Sequence, residues 1–470
     1  MSSVKISIVG AGSAVFSMRL VSDLCKTPAL SGSRVTLMDK DEERLRTVHV
    51  LARKLASELD YTIDFVATKN LEQAVEGADF VINTALVGGH AFLSEIREIG
   101  ERHGYFRGID SQEFNMVSDY YTLTNWNQLE FMLRLAKLVE TRAPDAWLLL
   151  ASNPVFEGTT LLNRHTQANI VGFCHGYLII EEICRKLGIE FSETDWQVAG
   201  VNHGIWLNRF QYKGDEAYRR IRDEFSHSKK WAPSNPFDDS FSPAARVMLD
   251  FYGLMPIGDT VRNSSWAFHY DNETKERWYG EPWGGVDSAK GWQWYTDLLG
   301  FVVKMLRELS MILENEPDKS LKELLSNVSS ALPEDLAGEV STFFNPDLMS
   351  GEQHIPFINA IVNDEKARLV VNVLNKGTIH GLPDDIAIES PAIVSSAGIK
   401  MEEIYPHLPQ RIIKWYLLPR ILRMEWALEA FLNKDTSLIT EVLFRDPRTK
   451  SREQAERAVS EVFEAAEKYH

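Results

Sequence analysis

Short β-branched apolar runs alternate with amphipathic stretches through the first two hundred residues, the pattern from which a parallel sheet flanked by helices is built. Val4 to Val9 is the first such run and predicts a strand. Ala14–Lys26 behind it predicts a helix, because Val15, Leu20, Val21 and Leu24 return at roughly helical spacing. Further strands are predicted at Arg34–Met38, Thr62–Val66, Asp79–Asn83, Trp147–Leu150, Ile170–Phe173 and Gln197–Val201. Helices are predicted at Asp41–Leu59, Tyr121–Thr141 and Tyr177–Lys186.

After about Asn208 that regularity is lost. The segment Trp231–Trp294 is loop-rich, with Pro233, Pro236, Pro243, Pro256 and Pro282, and holds six of the twelve Trp residues. Aromatic faces at a cleft suit the apolar faces of sugar rings, and the same residues serve equally as core. Helical spacing resumes at Trp292–Glu314, Gln410–Leu432 and Gln454–Glu467, while Ala367–Val373 and Ile386–Val394 read as strands bracketing the polar turn Asn375-Lys376-Gly377. The expected fold is α/β: a Rossmann-like doubly wound parallel sheet over residues 1–200, then an α+β domain over 201–470 with antiparallel strands and C-terminal helices. A chain of 470 residues exceeds what one hydrophobic core usually covers, which fits two tightly associated domains.

Charge narrows the partners. Fifty Lys and Arg against 67 Asp and Glu leave −17, which works against a nucleic-acid groove or an anionic membrane surface. Three cysteines, Cys25, Cys174 and Cys184, are too few for a disulfide framework and fit a reducing compartment. The N-terminus MSSVKISIVGAGS lacks the apolar core of a signal peptide, and no run of about eighteen apolar residues occurs. A soluble cytoplasmic chain is expected, with no nucleic-acid or membrane partner.

Gly10-Ala11-Gly12-Ser13-Ala14 closes the first predicted strand and opens the first helix. Gly10 can take the tight turn there and Gly12 lets the backbone approach a pyrophosphate, although the third glycine of the usual fingerprint is missing. Asp39, 27 residues after Gly12, ends the second strand and is placed to accept the adenosine ribose hydroxyls. A carboxylate at that point repels a ribose phosphate, so NAD is expected over NADP unless Lys40 swings in. Asn83, after an apolar strand, falls beside the same cofactor.

Two further strand ends carry chemistry. Gly172-Phe173-Cys174-His175-Gly176 ends one and Val201-Asn202-His203-Gly204 another, so Cys174 and His203 could both reach the strand-end crevice. A thiolate and an imidazole make half a coordination shell, which substrate oxygens could complete for manganese or another divalent ion. Residue type alone favours the other reading of Cys174, a buried structural thiol.

GAGSAVF near the N-terminus, EFNMVSDYY at Glu113–Tyr121, ASNP at Ala151–Pro154, GFCHG, GVNHGIW at Gly200–Trp206, GDTVRNSSW at Gly258–Trp266 and EPWGG at Glu281–Gly285 closely resemble the NAD- and manganese-dependent glycosidases of glycoside hydrolase family 4. The similarity spans nearly the whole chain, and Cys174-His175-Gly176 resembles the α-glucosidase branch. The resemblance implies hydrolysis by a redox route instead of two carboxylates. Sugar carbon 3 is oxidised transiently by NAD, the acidified proton at carbon 2 is removed, the leaving group is eliminated from carbon 1, and water and hydride are added back. It implies that Cys174 and His203 hold manganese and that Asp259 does proton chemistry. Asp119 and Asn153 then contact substrate, Asp119 or His175 protonates the leaving group, and Arg262 clamps sugar hydroxyls. Each has a plainer reading: Asp119 as a helix cap, Asp259 as a turn residue, Arg262 as a structural ion pair.

An α-glucosidase acting on short malto-oligosaccharides is thus the expectation, with NAD and a divalent metal as cofactors. An α-glucuronidase or α-galacturonidase on the same scaffold is the neighbouring alternative; an NAD-dependent dehydrogenase of hydroxy acids or sugars, or a non-catalytic NAD sensor, are alternatives of other classes. Family likeness implies a homodimer or homotetramer; the helical, apolar region from Gln410 onward reads equally as a self-complementary face or as a buried helix layer.

Overall fold

The computed structural model describes residues 3–106, 126–227, 232–263, 265–329, 345 and 348–469. Asp119 and the expected helix start at Tyr121 lie outside the described residues. Six strands, β1 (Lys5–Val9), β2 (Arg34–Met38), β3 (Asp64–Thr68), β4 (Phe80–Asn83), β5 (Trp147–Leu150) and β6 (Asn169–Gly172), pair in parallel in the order β3-β2-β1-β4-β5-β6. Their side chains alternate between faces. Ile6, Ile8, Leu37, Ile82 and Leu149 join the core under the helices Ala14–Leu24 and Glu42–Glu58. Val9, Val81, Leu148 and Leu150 join the core under Trp126–Arg142. With both faces covered, the strands read as nearly continuous apolar runs, which is why they are legible in the sequence. Val9 stands beside Met38 and Asn83 in the register, so Gly10, Asp39 and Thr84 all leave the sheet at one carboxyl edge.

The second half extends this sheet. β7 (Thr194–Val201) and β8 (Gly204–Tyr212) form a hairpin whose turn holds His203 at φ +56°. β9 (Asp215–Glu216) pairs with β8, and β10 (Met255–Ile257) lies along β8 on its other flank from β7. The antiparallel pair β11 (Ala367–Leu374) and β12 (Ala387–Ser395), with β13 (Gly398–Met401) on its rim, joins β6 to β7 and makes one sheet of 13 strands among the described residues. Gly172, Asn372, Glu389, Gly200, Ile205 and Ile257 are paired in one row across it. The segments that follow Gly172, Gly200 and Ile257 therefore start from the same row, and they carry Cys174, His203 and Asp259.

Helices of the second half also close over the first. Ala289–Asn315 packs on Ala14–Leu24 and Glu42–Glu58, and Arg452–Ala466 packs on Gly89–Arg102. Several helices escaped the sequence pattern, three of them for readable reasons. Gly89–Arg102 starts from Gly88 in the left-handed region with no capping side chain. Val155–His165 is buried almost all round, so it shows no polar face. Pro243–Tyr252 sits inside the loop-rich stretch, yet Ser242 caps it and Gly253, at φ +83°, ends it. No helix of the described residues is long and apolar enough to cross a membrane.

Candidate active site

At the carboxyl edge of β1 the chain turns through Gly10 at φ +91°, where a β-carbon would lie 2.4 Å from the Ala85 amide nitrogen. Only glycine fits that contact. The Gly12 amide donates to Asp39 Oδ2 at 2.7 Å, and the other Asp39 oxygen accepts the Asp41 amide at 2.9 Å. Ser13 precedes the helix Ala14–Leu24 without capping it through its side chain, so the first-turn amides face the crevice free of that competitor. Asn83 is fully buried; its Oδ1 accepts the Ala85 amide at 3.2 Å, while its Nδ2 has no hydrogen-bond partner among the described residues. A cavity of about 270 Å³ opens here, lined by Gly12, Ser13, Ala14 and, from the long covering helix, Thr296 and Leu299. An uncapped helix start, a glycine cradle and an orphaned buried amide suit a dinucleotide's pyrophosphate and nicotinamide end. Gly10, Gly12, Ser13, Ala14, Asp39 and Asn83 are thus gathered at one edge.

The second cavity, about 360 Å³, is lined by Asn153, His175, Asp239, Asp259, Arg262, Asp287, Trp292 and Tyr295, among others. Close backbone approach builds it. A β-carbon on Gly258 would lie 2.9 Å from Gly176 Cα, so the loop after β6 and the turn after β10 approach at backbone distance where both carry glycine. A β-carbon on Gly176 would in turn stand 3.7 Å from the Cys174 sulfur. Cys174 is half-buried and carries a free thiol; His203 is buried. His203 Nε2 lies 3.1 Å from Asp259 Oδ2, and the His203 carbonyl accepts the Asn263 amide group at 2.8 Å. The remaining Asp259 oxygen accepts from Arg262 Nη2. Sulfur, imidazole and carboxylate are the donor types a borderline divalent ion takes. Among the described residues, no group of three or more His, Cys, Asp or Glu side chains is set to hold an ion.

Arg262 does not point a free guanidinium at the cavity. It is buried and bonded to Asp239 and Asp259, with Asp287 Oδ2 3.7 Å from its Nε. Burial pushes Asp239 up to about 6 against the pull of that guanidinium. Arg262 therefore acts on Asp259, holding its carboxylate while His203 holds the other oxygen. Asn153 lines the same cavity just before the helix Val155–His165. His175 is exposed at the mouth, its Nδ1 3.6 Å from Glu352 Oε1. Of the six Trp residues in the loop-rich stretch, Trp292 lines the cavity, donating its Nε1 hydrogen to Ser94 at 2.7 Å.

Several charged groups around the site were missed by sequence reasoning. Glu389 sits in the middle of β12, fully buried, and accepts from Asn202 Nδ2 at 2.8 Å beside the His203 turn. Burial raises its pKa. Asp239 and Asp287 are buried partners of Arg262, and Glu352 is a buried partner of His175. A glutamate inside the apolar run Ala387–Ser395 was a readable signal for the first; the others lie in irregular segments that carry none.

Comparisons agree with this architecture. The model of family 4 glycosyl hydrolases matches residues 5–190, and that of the family's C-terminal domain matches residues 198–449. An α-galacturonidase of Lachnoclostridium phytofermentans is 22% identical over 100% of this chain and 97% of its own length. An α-glucosidase of Erwinia rhapontici is 25% identical over 84% of this chain and 83% of its own. A 6-phospho-α-glucosidase from gut microorganisms, solved with NAD and Mn2+, superposes with a TM-score of 0.75 at 16% identity, covering 98% of each chain. The two family models together span nearly the entire sequence, with the break between them falling at the start of β7, and on that ground the chain belongs to family 4 of the glycosyl hydrolases.

Proposed function

We propose that the chain is an NAD- and manganese-dependent α-glycosidase of neutral sugars, in first place an α-glucosidase of short malto-oligosaccharides. The observation that carries the neutral-sugar reading is the charge of the cavity: Asp239, Asp259 and Asp287 face it against Arg262, whose guanidinium is engaged by all three. A uronate or sugar phosphate entering this lining meets no unengaged guanidinium or ammonium group among the described lining residues. When bound, the dinucleotide supplies a reversible hydride acceptor for sugar carbon 3 and the divalent ion supplies Lewis acidity toward the hydroxyls at carbons 2 and 3.

The residues divide the remaining work. Backbone amides from Gly10 to Ala14 receive the pyrophosphate, Asp39 the adenosine ribose, and Asn83 lies toward the nicotinamide. Cys174 and His203 hold the ion, with sugar oxygens completing its shell. Asp259, pinned between His203 and Arg262, takes the proton from carbon 2. His175 gives a proton to the departing oxygen. Asn153, with Asp119 outside the described residues, fixes the sugar hydroxyls.

The full-length likeness to α-galacturonidases favours a second reading, a uronide substrate on the same site. Turnover of 4-nitrophenyl α-glucoside, α-galactoside and α-galacturonide, assayed with NAD+, Mn2+ and a reductant, separates the two. The α-glucoside is expected to be cleaved fastest, with deuterium at carbon 2 washing out into solvent and no net NADH. Cleavage of the galacturonide alone overturns the neutral-sugar reading; NADH formed in step with product overturns the glycosidase reading for a dehydrogenase. The chain is further proposed to act in the cytoplasm as a homo-oligomer through Trp415, Leu418 and Leu422, an exposed apolar row at helical spacing. Sedimentation of the purified protein tests the latter.

A further inference from the structure

Beside the loop after β6, Glu352 forms a buried charge cluster to which no step above assigns a task. Its side chain is 6% exposed. One oxygen, Oε1, lies 3.2 Å from Arg19 Nη1 and 3.6 Å from His175 Nδ1; the other, Oε2, lies 3.8 Å from His354 Nδ1. Its backbone is anchored on both sides. Ser350 donates its amide and hydroxyl to Asp23 at 2.9 and 2.5 Å, tying the segment to the helix Ala14–Leu24. Gln353 exchanges two side-chain bonds with Val370 of β11, at 2.6 and 2.8 Å. The carboxylate therefore cannot follow His175 outward; the imidazole must come to it.

The surroundings keep Glu352 ionised. Burial alone would raise it, but His175, His354 and Arg19 together hold it down at about 2. His354, wholly buried between Phe16 and Phe173, is pushed down by burial to about 4 and so stands neutral at neutral pH. The negative charge is left to Arg19 and His175. Arg19 also belongs to the helix whose N-terminus forms the glycine cradle, so one element positions the dinucleotide loop and the partner of His175.

We propose that Glu352 is a positioning residue for the leaving-group acid: it binds the Nδ1 side of His175 and thereby aims Nε2 into the sugar cavity. There Nε2 donates its proton to the glycosidic oxygen as the bond to carbon 1 breaks; the bonding pair leaves with that oxygen and His175 is left neutral. A carboxylate that orients an imidazole from its far nitrogen fixes both tautomer and ring direction. The inference rests on His175 serving as the acid, as read above.

The test exploits leaving groups. A nitrophenolate departs without a proton, whereas the sugar hydroxyl released from maltose needs one. Glu352→Gln keeps the shape and an acceptor for Arg19 but loses the charge. In the enzyme loaded with NAD+ and Mn2+, its kcat on maltose is expected to fall at least tenfold further than its kcat on 4-nitrophenyl α-glucoside, with KM for both moving less than threefold. His175→Ala should show the same split. Glu352→Asp, which keeps the charge but withdraws it by one methylene, should show a smaller split and serves if the Gln variant does not fold. A structural role for Glu352 would lower both substrates equally, and that result overturns the proposal. A split for His175→Ala without one for either Glu352 variant overturns the role of Glu352 alone; no split for His175→Ala overturns the acid assignment itself.

Discussion

The two cavities at the sheet edge are built from different materials. The dinucleotide side is made of backbone: glycine turns, helix amides, and one carboxylate held by two amides at 2.7 and 2.9 Å. The sugar side is made of charged side chains from separate segments, the half-buried Asp259 with the buried Arg262, Asp239 and Asp287, whose burial depends on their pairing. A backbone cradle is local in sequence and tolerates neighbours changing. A mutual charge cluster is assembled at long range, and removing one member strands the rest. The two sides should therefore fail differently.

The sharpest break is at the metal ligands. Cys174→Ser or His203→Ala should lower turnover by about two to three orders of magnitude, while NAD+ affinity, read by fluorescence quenching, changes about twofold or less. Loss of Mn2+ binding by electron paramagnetic resonance should accompany it. A parallel collapse of NAD+ affinity would mean that the two sides are one unit and the contrast is false.

Next in size is Arg262→Met, which leaves Asp239 and Asp287 buried without their cation. Chemical denaturation should show a loss of about 3–5 kcal/mol. Asp239 sharpens the point through pH. Its folded pKa, about 6, lies above the ordinary 3.8. The folded state therefore binds that proton more tightly, so the stability it contributes is full below pH 4 and is lost as pH rises through 6. Asp239→Asn removes this decline, and its stability relative to the parent should rise between pH 4 and 7 by up to about 3 kcal/mol. A flat difference across that window would show that Asp239 titrates normally.

The same contrast explains what could be read in advance. β2 and β5 have the bounds that their apolar runs predict, Arg34–Met38 and Trp147–Leu150, because strands buried on both faces carry their whole signal locally. The glycine turn was visible for the same reason. Helix Val155–His165 was not, since burial on nearly every side erases the periodicity that marks a helix. Neither was the use of β11 and β12 as the bridge between β6 and β7, because strand order across a sheet leaves no trace in the spacing of side chains. Within the sugar site, Cys174 and His203 follow predicted strand ends and could be nominated, whereas Asp259 follows the three-residue β10, which no apolar run predicted, and was named from the family resemblance alone. Glu352 meets His175 across 177 positions and could not be nominated.

The smallest effect should come from the cradle itself. A methyl group on Gly12 would stand 2.7 Å from Asp39 Oδ2 and 3.0 Å from Arg44 Cβ. The carboxylate is the part that can yield, but its other oxygen is bonded to the Asp41 amide, so moving aside weakens two bonds. Gly12→Ala is therefore expected to cost about 1–2 kcal/mol in stability and to weaken NAD+ binding by about tenfold. Because the ion pairs of the sugar side run among Arg262, Asp239, Asp259 and Asp287, saturating NAD+ should restore kcat to about the parent value. A kcat that stays low at saturation would show the cradle acting on the chemistry as well as on the cofactor, and the division between a backbone-built side and a charge-built side would have to be abandoned.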